Sequence, residues 1–171
     1  MSIFKSFLLL IIFGTSTTIG ILISKKYSTR VEILKEIKKA LSIFEIKINY
    51  SFETVPDIFT EISNKIGGVV GQIFSDAVCN INKKNKMAGE AWEEAIDANC
   101  KDLKKEDIDS LKTLGKLLGS TDIDGQINQI KLVTEFINNQ IDDAVKEKNS
   151  NAKMYRKLGA IIGLMVVIAL I

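Results

Sequence analysis

From residue 126 to residue 158 the chain carries no glycine and no proline. Around that stretch, Ile123, Ile127, Ile130, Thr134, Ile137, Ile141 and Ala144 recur at alternating spacings of four and three. This is a heptad seam along one face of a long helix. No break signal separates it from residues 158–171, which are almost purely apolar. At a rise of about 1.5 Å per residue, a helix over residues 122–171 would exceed roughly 70 Å. One end is expected in a membrane and the other far out in water.

Charge is segregated along the 171 residues. All 21 acids lie between Glu32 and Glu147, and every base except Lys5 lies between Lys25 and Lys157. The middle is therefore near neutral, 22 bases against 21 acids, and nothing in it marks a nucleic-acid binder. The apolar share of 46% and mean hydropathy of +0.15 are high for a soluble protein, and the excess sits at the two ends. There is no histidine, which excludes histidine catalysis, histidine metal ligation and a histidine pH switch. Cys79 and Cys100 form no CxxC and read as two free thiols in a reducing compartment.

Residues 6–24 form an apolar run long enough to cross a bilayer, after Lys5 and before Lys25, Lys26 and Tyr27. A signal peptide is the alternative, but the run is longer than an ordinary h-region and lacks an A-x-A cleavage site. An uncleaved anchor over residues 1–24 is favoured. At the far end Lys153, Tyr155, Arg156 and Lys157 precede residues 158–171. That second run is short for a core of roughly 30 Å, so Met154 and Tyr155 extend it while Arg156 and Lys157 snorkel. Bases cluster on the inner side of both runs, which predicts a cytoplasmic domain over residues 25–157 and both termini outside. Ser16 with Gly20, and Gly159 with Gly163, have the small-xxx-small spacing that lets membrane helices pack closely, although glycine is common in such helices in any case. Neither run carries a charge, which argues against an ion pathway through this chain alone.

Residues 30–52 read as the second long helix, with Leu34, Ile37, Leu41, Phe44 and Ile48 in a/d register and Ile33, Ile43 and Ile46 widening the stripe. Its expected partner is the seam on residues 127–141, giving a long antiparallel hairpin. Short helices fill the interval. Thr54-Val55-Pro56-Asp57 opens one, Gly67-Gly68 ends it, and further helices follow over residues 69–81, 91–96 and 106–118, with Gly119 as a C-cap. No segment reads as a strand. Residues 52–121 are expected to form a membrane-distal head.

The head shows no catalytic or metal constellation. Gly115-Lys116-Leu117-Leu118-Gly119-Ser120-Thr121 resembles a phosphate loop, but its lysine stands in the wrong place and no strand precedes it. Helix packing at Gly115 explains it better. Asp122-Ile123-Asp124-Gly125 resembles a calcium loop whose glycine comes two positions early. Two charge patches stand out: basic Lys83, Lys84 and Lys86, and acidic Glu90, Glu93, Glu94 and Asp97 around Trp92. They read either as solvated faces or as a partner-docking surface, and Trp92 either as a core anchor or as part of that surface.

The ordered landmarks resemble the stage III sporulation protein AB family of endospore-forming bacteria. They comprise Lys25-Lys26-Tyr27, Arg30, Leu34, Ala40-Leu41, Glu45, Tyr50, Pro56, Ala91-Trp92-Glu93 and Leu111-x-x-Leu114-Gly115-x-x-Leu118-Gly119. Asp122, Gln126, Tyr155-x-Lys157-Leu158-Gly159 and Gly163-Leu164 complete the set. Lys47 departs from it, standing where an acid is expected a turn before the tyrosine. The resemblance implies a part in the assembly linking mother cell and forespore, at the mother-cell side of the forespore outer membrane. It also implies kinship with the inner-membrane platform proteins of type II secretion, a secretion-type ATPase partner (stage III sporulation protein AA), and other stage III sporulation proteins as neighbours.

The expectation is an all-α, membrane-anchored helical bundle without enzymatic activity or cofactor, acting as a transport platform. The alternative is a membrane-tethered coiled-coil scaffold with no transport role, and left-over heptad positions leave room for a homo-oligomer. An enzyme is a distant third.

Overall fold

The computed structural model describes residues 2–51, 53–116, 118 and 123–170. Phe52 and residues 119–122, with the expected caps at Gly119, Ser120, Thr121 and Asp122, lie outside them, as does part of the phosphate-loop-like stretch. The described elements are α1 (Ser2–Tyr50), α2 (Val55–Lys65), α3 (Gly68–Lys84), α4 (Ala88–Asn99), α5 (Lys105–Gly115), α6 (Ile123–Glu147), a π-helical turn (Lys148–Ala152) and α7 (Lys153–Leu170). The fold is all-α, with no strand among the described residues. α1 is long and apolar enough to cross a membrane.

The chain divides into two compact units. One joins the residues up to Val31 with those from Asp143 onward; the other is Glu32–Asp142.

In the unit Glu32–Asp142, local chemistry sets the short helices. The Thr54 hydroxyl accepts from the Asp57 N–H at 3.4 Å, and the Asp57 carboxylate accepts from the Thr54 N–H at 3.3 Å. Pro56 occupies the first turn of α2, where its missing N–H costs nothing. Gly68 (φ +63°) carries the sharp passage from α2 to α3. Asn85 ends α3 in the left-handed conformation (φ 54°), which asparagine tolerates best after glycine. α2 packs on α3, α3 on α4 and α4 on α5. The last contact is close: a methyl group on Gly89 would collide with the Gly115 carbonyl, and one on Gly115 would meet Trp92 Cδ1 at 2.9 Å.

Four helices meet at an aromatic cluster. Phe59 stands 5.4 Å from Phe44, 5.0 Å from Phe74 and 5.4 Å from Trp92 by ring centroids, edge-on to Phe74. All four rings are buried. Aromatic pairs at such distances contribute about 0.5–1.5 kcal/mol each beyond the area they bury.

The seam differs from the sequence pattern in detail. On α6, Ile127, Ile130, Val133 and Ile137 are buried, while Thr134 and Ile141 are half-buried and Ile123 is exposed. Positions 133 and 134 compete for one place on the stripe. The valine takes it, and Thr134 stands beside it half-buried, its Oγ1 enclosed at the cost of a hydrogen-bond partner. On α1, Ile33 joins the buried face, Ile43 is half-buried and Ile46 is 59% exposed, so the stripe is narrower than expected.

Candidate functional site

Within the unit formed by the two chain ends, α1 and α7 touch through small residues. The Ser16 hydroxyl donates to the Gly159 carbonyl at 2.8 Å. A Cβ added to Gly20 would sit 2.8 Å from the Tyr155 carbonyl oxygen and 3.0 Å from Gly159 Cα. A Cβ on Gly163 would sit 3.1 Å from Phe13 Cδ2 and 3.2 Å from Ser16 Cβ. Further along, Tyr27 and Tyr155 stack, with centroids 6.0 Å apart and planes 14° from parallel. Arg30, nearly buried, pairs with Glu147 at 3.0 Å. Positions rise along α1 as they fall along its partner, so the two run in opposite directions.

The π-helical turn sets which residues of α7 reach this contact. Ala144, Ala152, Gly159 and Gly163 are buried. An unbroken heptad from Ala144 would instead present Asn151 and Leu158. Hydrogen bonds that skip one residue further, i to i+5, take up one extra residue. Ala152 and Gly159 therefore arrive on the contact face, and the bulky Leu158 turns outward.

In the other unit, the two charge patches of α3 and α4 are one interleaved surface. Lys84 reaches Glu94 at 3.3 Å, and Lys86 pairs with the same carboxylate. Lys86 first and Lys84 second hold the Glu94 carboxyl below its ordinary range. Asp97 pairs with Lys112 of α5 at 2.6 Å, which raises the lysine's pKa. Lys83 and Glu90 are exposed and Glu93 is half-buried. Trp92 does not belong to this surface. It is 2% exposed, and its indole N–H donates to the Leu111 carbonyl at 2.8 Å, so it anchors the core. Asp76, Cys79, Asn80, Lys84, Glu94 and Asp97 line a polar groove of about 440 Å³ beside these charges. Cys100 is buried and Cys79 half-buried, both as free thiols. No group of three potential metal ligands occurs among the described residues.

Lys47, at a position where an acid is expected from the resemblance, pairs with Glu61 at 2.6 Å and Glu53 at 2.9 Å. Glu61 and then Glu53 raise its pKa. The inverted charge thus has its acids supplied from α2 and the segment before it. None of these cross-helix pairs could be read from the sequence, because Lys84–Glu94, Asp97–Lys112 and Arg30–Glu147 all lie beyond the reach of a helical i,i+4 rule.

The fold and these surfaces define a class: an all-α protein with one helix suited to a membrane and no visible reaction centre among the described residues. The chain belongs to the stage III sporulation protein AB family, whose sequence model matches residues 5–171. It is 27% identical over 157 residues to stage III sporulation protein AB of Bacillus subtilis (strain 168), covering 91% of this chain and 92% of that one. A solved structure of a stage III sporulation protein AB superposes with a TM-score of 0.67 at 24% identity, covering 71% of this chain and 98% of its own. The family places the chain in sporulation, and its name carries no catalytic activity.

Proposed function

We propose that this chain is a non-catalytic membrane platform of the sporulation machinery. Residues 1–24 and 158–171 cross the membrane, and residues 25–157 lie in the cytoplasm, on the mother-cell side of the forespore outer membrane. The observation that carries this reading is the Ser16–Gly20–Gly159–Gly163 contact. Lipid removes the hydrophobic drive between helices, so spans associate through small residues and hydroxyl-to-carbonyl bonds of this kind. Around it Leu10, Ile19, Leu22, Ile161, Leu164 and Met165 remain exposed, as lipid-facing side chains do.

The second part of α1 and α6 form an antiparallel hairpin stalk, a reading supported by their buried apolar faces and by Glu45 lying 3.9 Å from Lys131. Residues 52–121 form a head that couples to a cytosolic secretion-type ATPase, stage III sporulation protein AA, and to other stage III sporulation proteins. Membership of the stage III sporulation protein AB family supports a place among the sporulation proteins, and the platform role extends that reading. A second reading, a dimerising scaffold without a transport role, is favoured by Ile46, Leu132 and Phe136, which stay exposed.

Reporters active only outside the cytoplasm, fused at the C-terminus and in the loop near Asn85, test the topology. Activity at Asn85 and none at the C-terminus would refute it. Deleting the gene separates the two roles: arrested forespores support the platform, whereas normal spores with a mislocalised partner support the scaffold.

A further inference from the structure

Six bases flank the two apolar helix segments: Lys25, Lys26, Arg30, Lys153, Arg156 and Lys157. The fold treats them unequally. Arg30 is 5% exposed and its guanidinium is held by Glu147. Lys25, Lys26, Lys153, Arg156 and Lys157 are all exposed, and none makes an ion pair among the described residues. The unit's two acids are themselves paired elsewhere, Asp143 with Lys146 and Glu147 with Arg30.

The five also share one level. Lys25 and Lys26 fall between Gly20 and Tyr27 on α1, whereas Arg156 and Lys157 fall between Tyr155 and Gly159 on α7. Gly20 touches Gly159, and Tyr27 stacks on Tyr155, so the two pairs of bases flank the same stretch of the helix contact. Lys153 lies about half a turn beyond Tyr155. The stacked tyrosines mark this level as one where amphipathic rings meet a headgroup layer.

We propose that Lys25, Lys26, Lys153, Arg156 and Lys157 form a binding collar for anionic phospholipid headgroups, with Arg30 excluded from it. This rests on the membrane reading above. The five cations collect phosphates of lipids that carry net negative charge, and Arg156 adds a bidentate fork. An uncompensated cluster selects anionic over zwitterionic lipid, and the selection weakens with salt because the groups are exposed. The Arg30–Glu147 pair is a fixed internal tie and contributes nothing to lipid choice.

The test uses the full chain reconstituted in phosphatidylcholine vesicles containing a minority of phosphatidylglycerol. Spin-labelled versions of each lipid report the fraction motionally restricted at the protein. The native chain should restrict phosphatidylglycerol several-fold more than phosphatidylcholine, with the ratio falling as salt rises. Replacing all five bases by glutamine should bring the ratio close to one, whereas Glu147→Gln, which unties Arg30 without touching the collar, should leave it at the native value. Equal selection by the native and five-fold variants, or loss of selection in Glu147→Gln with helical content intact, overturns the collar. Alkaline carbonate washing separates the two readings. If the chain is washed off the vesicles, the membrane reading fails; if it stays and selects no anionic lipid, only the collar fails.

Discussion

Gly20 and Gly159 approach so closely that a Cβ on either would stand 3.0 Å from the other's Cα. The contact leaves no room for a side chain. Gly14, on the same apolar stretch, has nothing within 4 Å of an added Cβ. Gly159→Leu should therefore force α7 away from α1 and break the Ser16–Gly159 hydrogen bond. Gly14→Leu should be neutral, although both add the same apolar bulk. Melting of the detergent-solubilised chain checks this, and equal melting temperatures for the two variants would count against the contact.

Phe59 touches Phe44, Phe74 and Trp92, so it joins three other helices. Phe59→Ala should cost about 3–5 kcal/mol in denaturant unfolding. Trp92→Phe keeps most of the ring but leaves the Leu111 carbonyl without its donor, which should cost about 1–3 kcal/mol. A Trp92 variant as damaging as Phe59→Ala would mean that the hydrogen bond, rather than ring packing, governs this core.

Deleting one residue from a long helix normally rotates everything beyond it by about 100°. The π-helical turn reverses that rule locally. With Ser150 removed, Lys148–Ala152 can close as ordinary α-helix, and Ala144, Ala152 and Gly159 then fall in continuous heptad register. Deletion of Ser150 should be tolerated in stability and sporulation. Deletion of Asn139, exposed within α6, should damage both. Equal damage would show that the π-helical turn does not set the phase of α7.

How far these features could be read in advance depends on their physical range. Amphipathic period is local, so the long helices, the Thr54 cap and the core positions Leu34, Phe44, Ile130 and Ile137 were legible. The π-helical turn was not: Lys148-Asn149-Ser150-Asn151-Ala152 contains no breaker, and the extra residue reflects which face must meet Gly20. Likewise the Lys84 and Lys86 hold on Glu94 depends on α3 and α4 crossing, and the separate patches seen in the chain order merge only in three dimensions. Trp92 was ambiguous because one type of residue serves both cores and interfaces.

Cys100 predicts a pH dependence. Burial first, then Asp97 and Asp107, push its thiol from 9.0 up to about 12. Its folded pKa is raised, so the folded chain keeps a proton that the unfolded chain releases. That stabilisation is fully present below pH 9 and is lost as pH rises from about 9 to about 12. The native chain should thus lose stability across that alkaline range more steeply than Cys100→Ala. At neutral pH iodoacetamide should label half-buried Cys79 while Cys100 reacts only on unfolding. Equal labelling rates would contradict the buried thiol.

The ATPase proposed to dock on the head would meet a charged surface there. Its expected contacts are the exposed charges of α3 and α4, without Trp92. Reversing Glu93 and Glu94 to lysine removes the partner of Lys84 and Lys86, yet these are solvent-exposed pairs of small net worth. The melting temperature should barely move. Association with the ATPase should slow and its salt dependence should change, because charges at a docking rim act mainly on the encounter rate. Reversing Lys83, Lys84 and Lys86 to glutamate should do the same from the opposite sign. Joining both reversals puts acids at positions 84 and 86 opposite a base at position 94, the same pairs with their charges exchanged. Its melting temperature should again barely move and binding should not return, since the partner's charges are unchanged. If association and sporulation survive each reversal, the ATPase docks on the stalk or the spans instead.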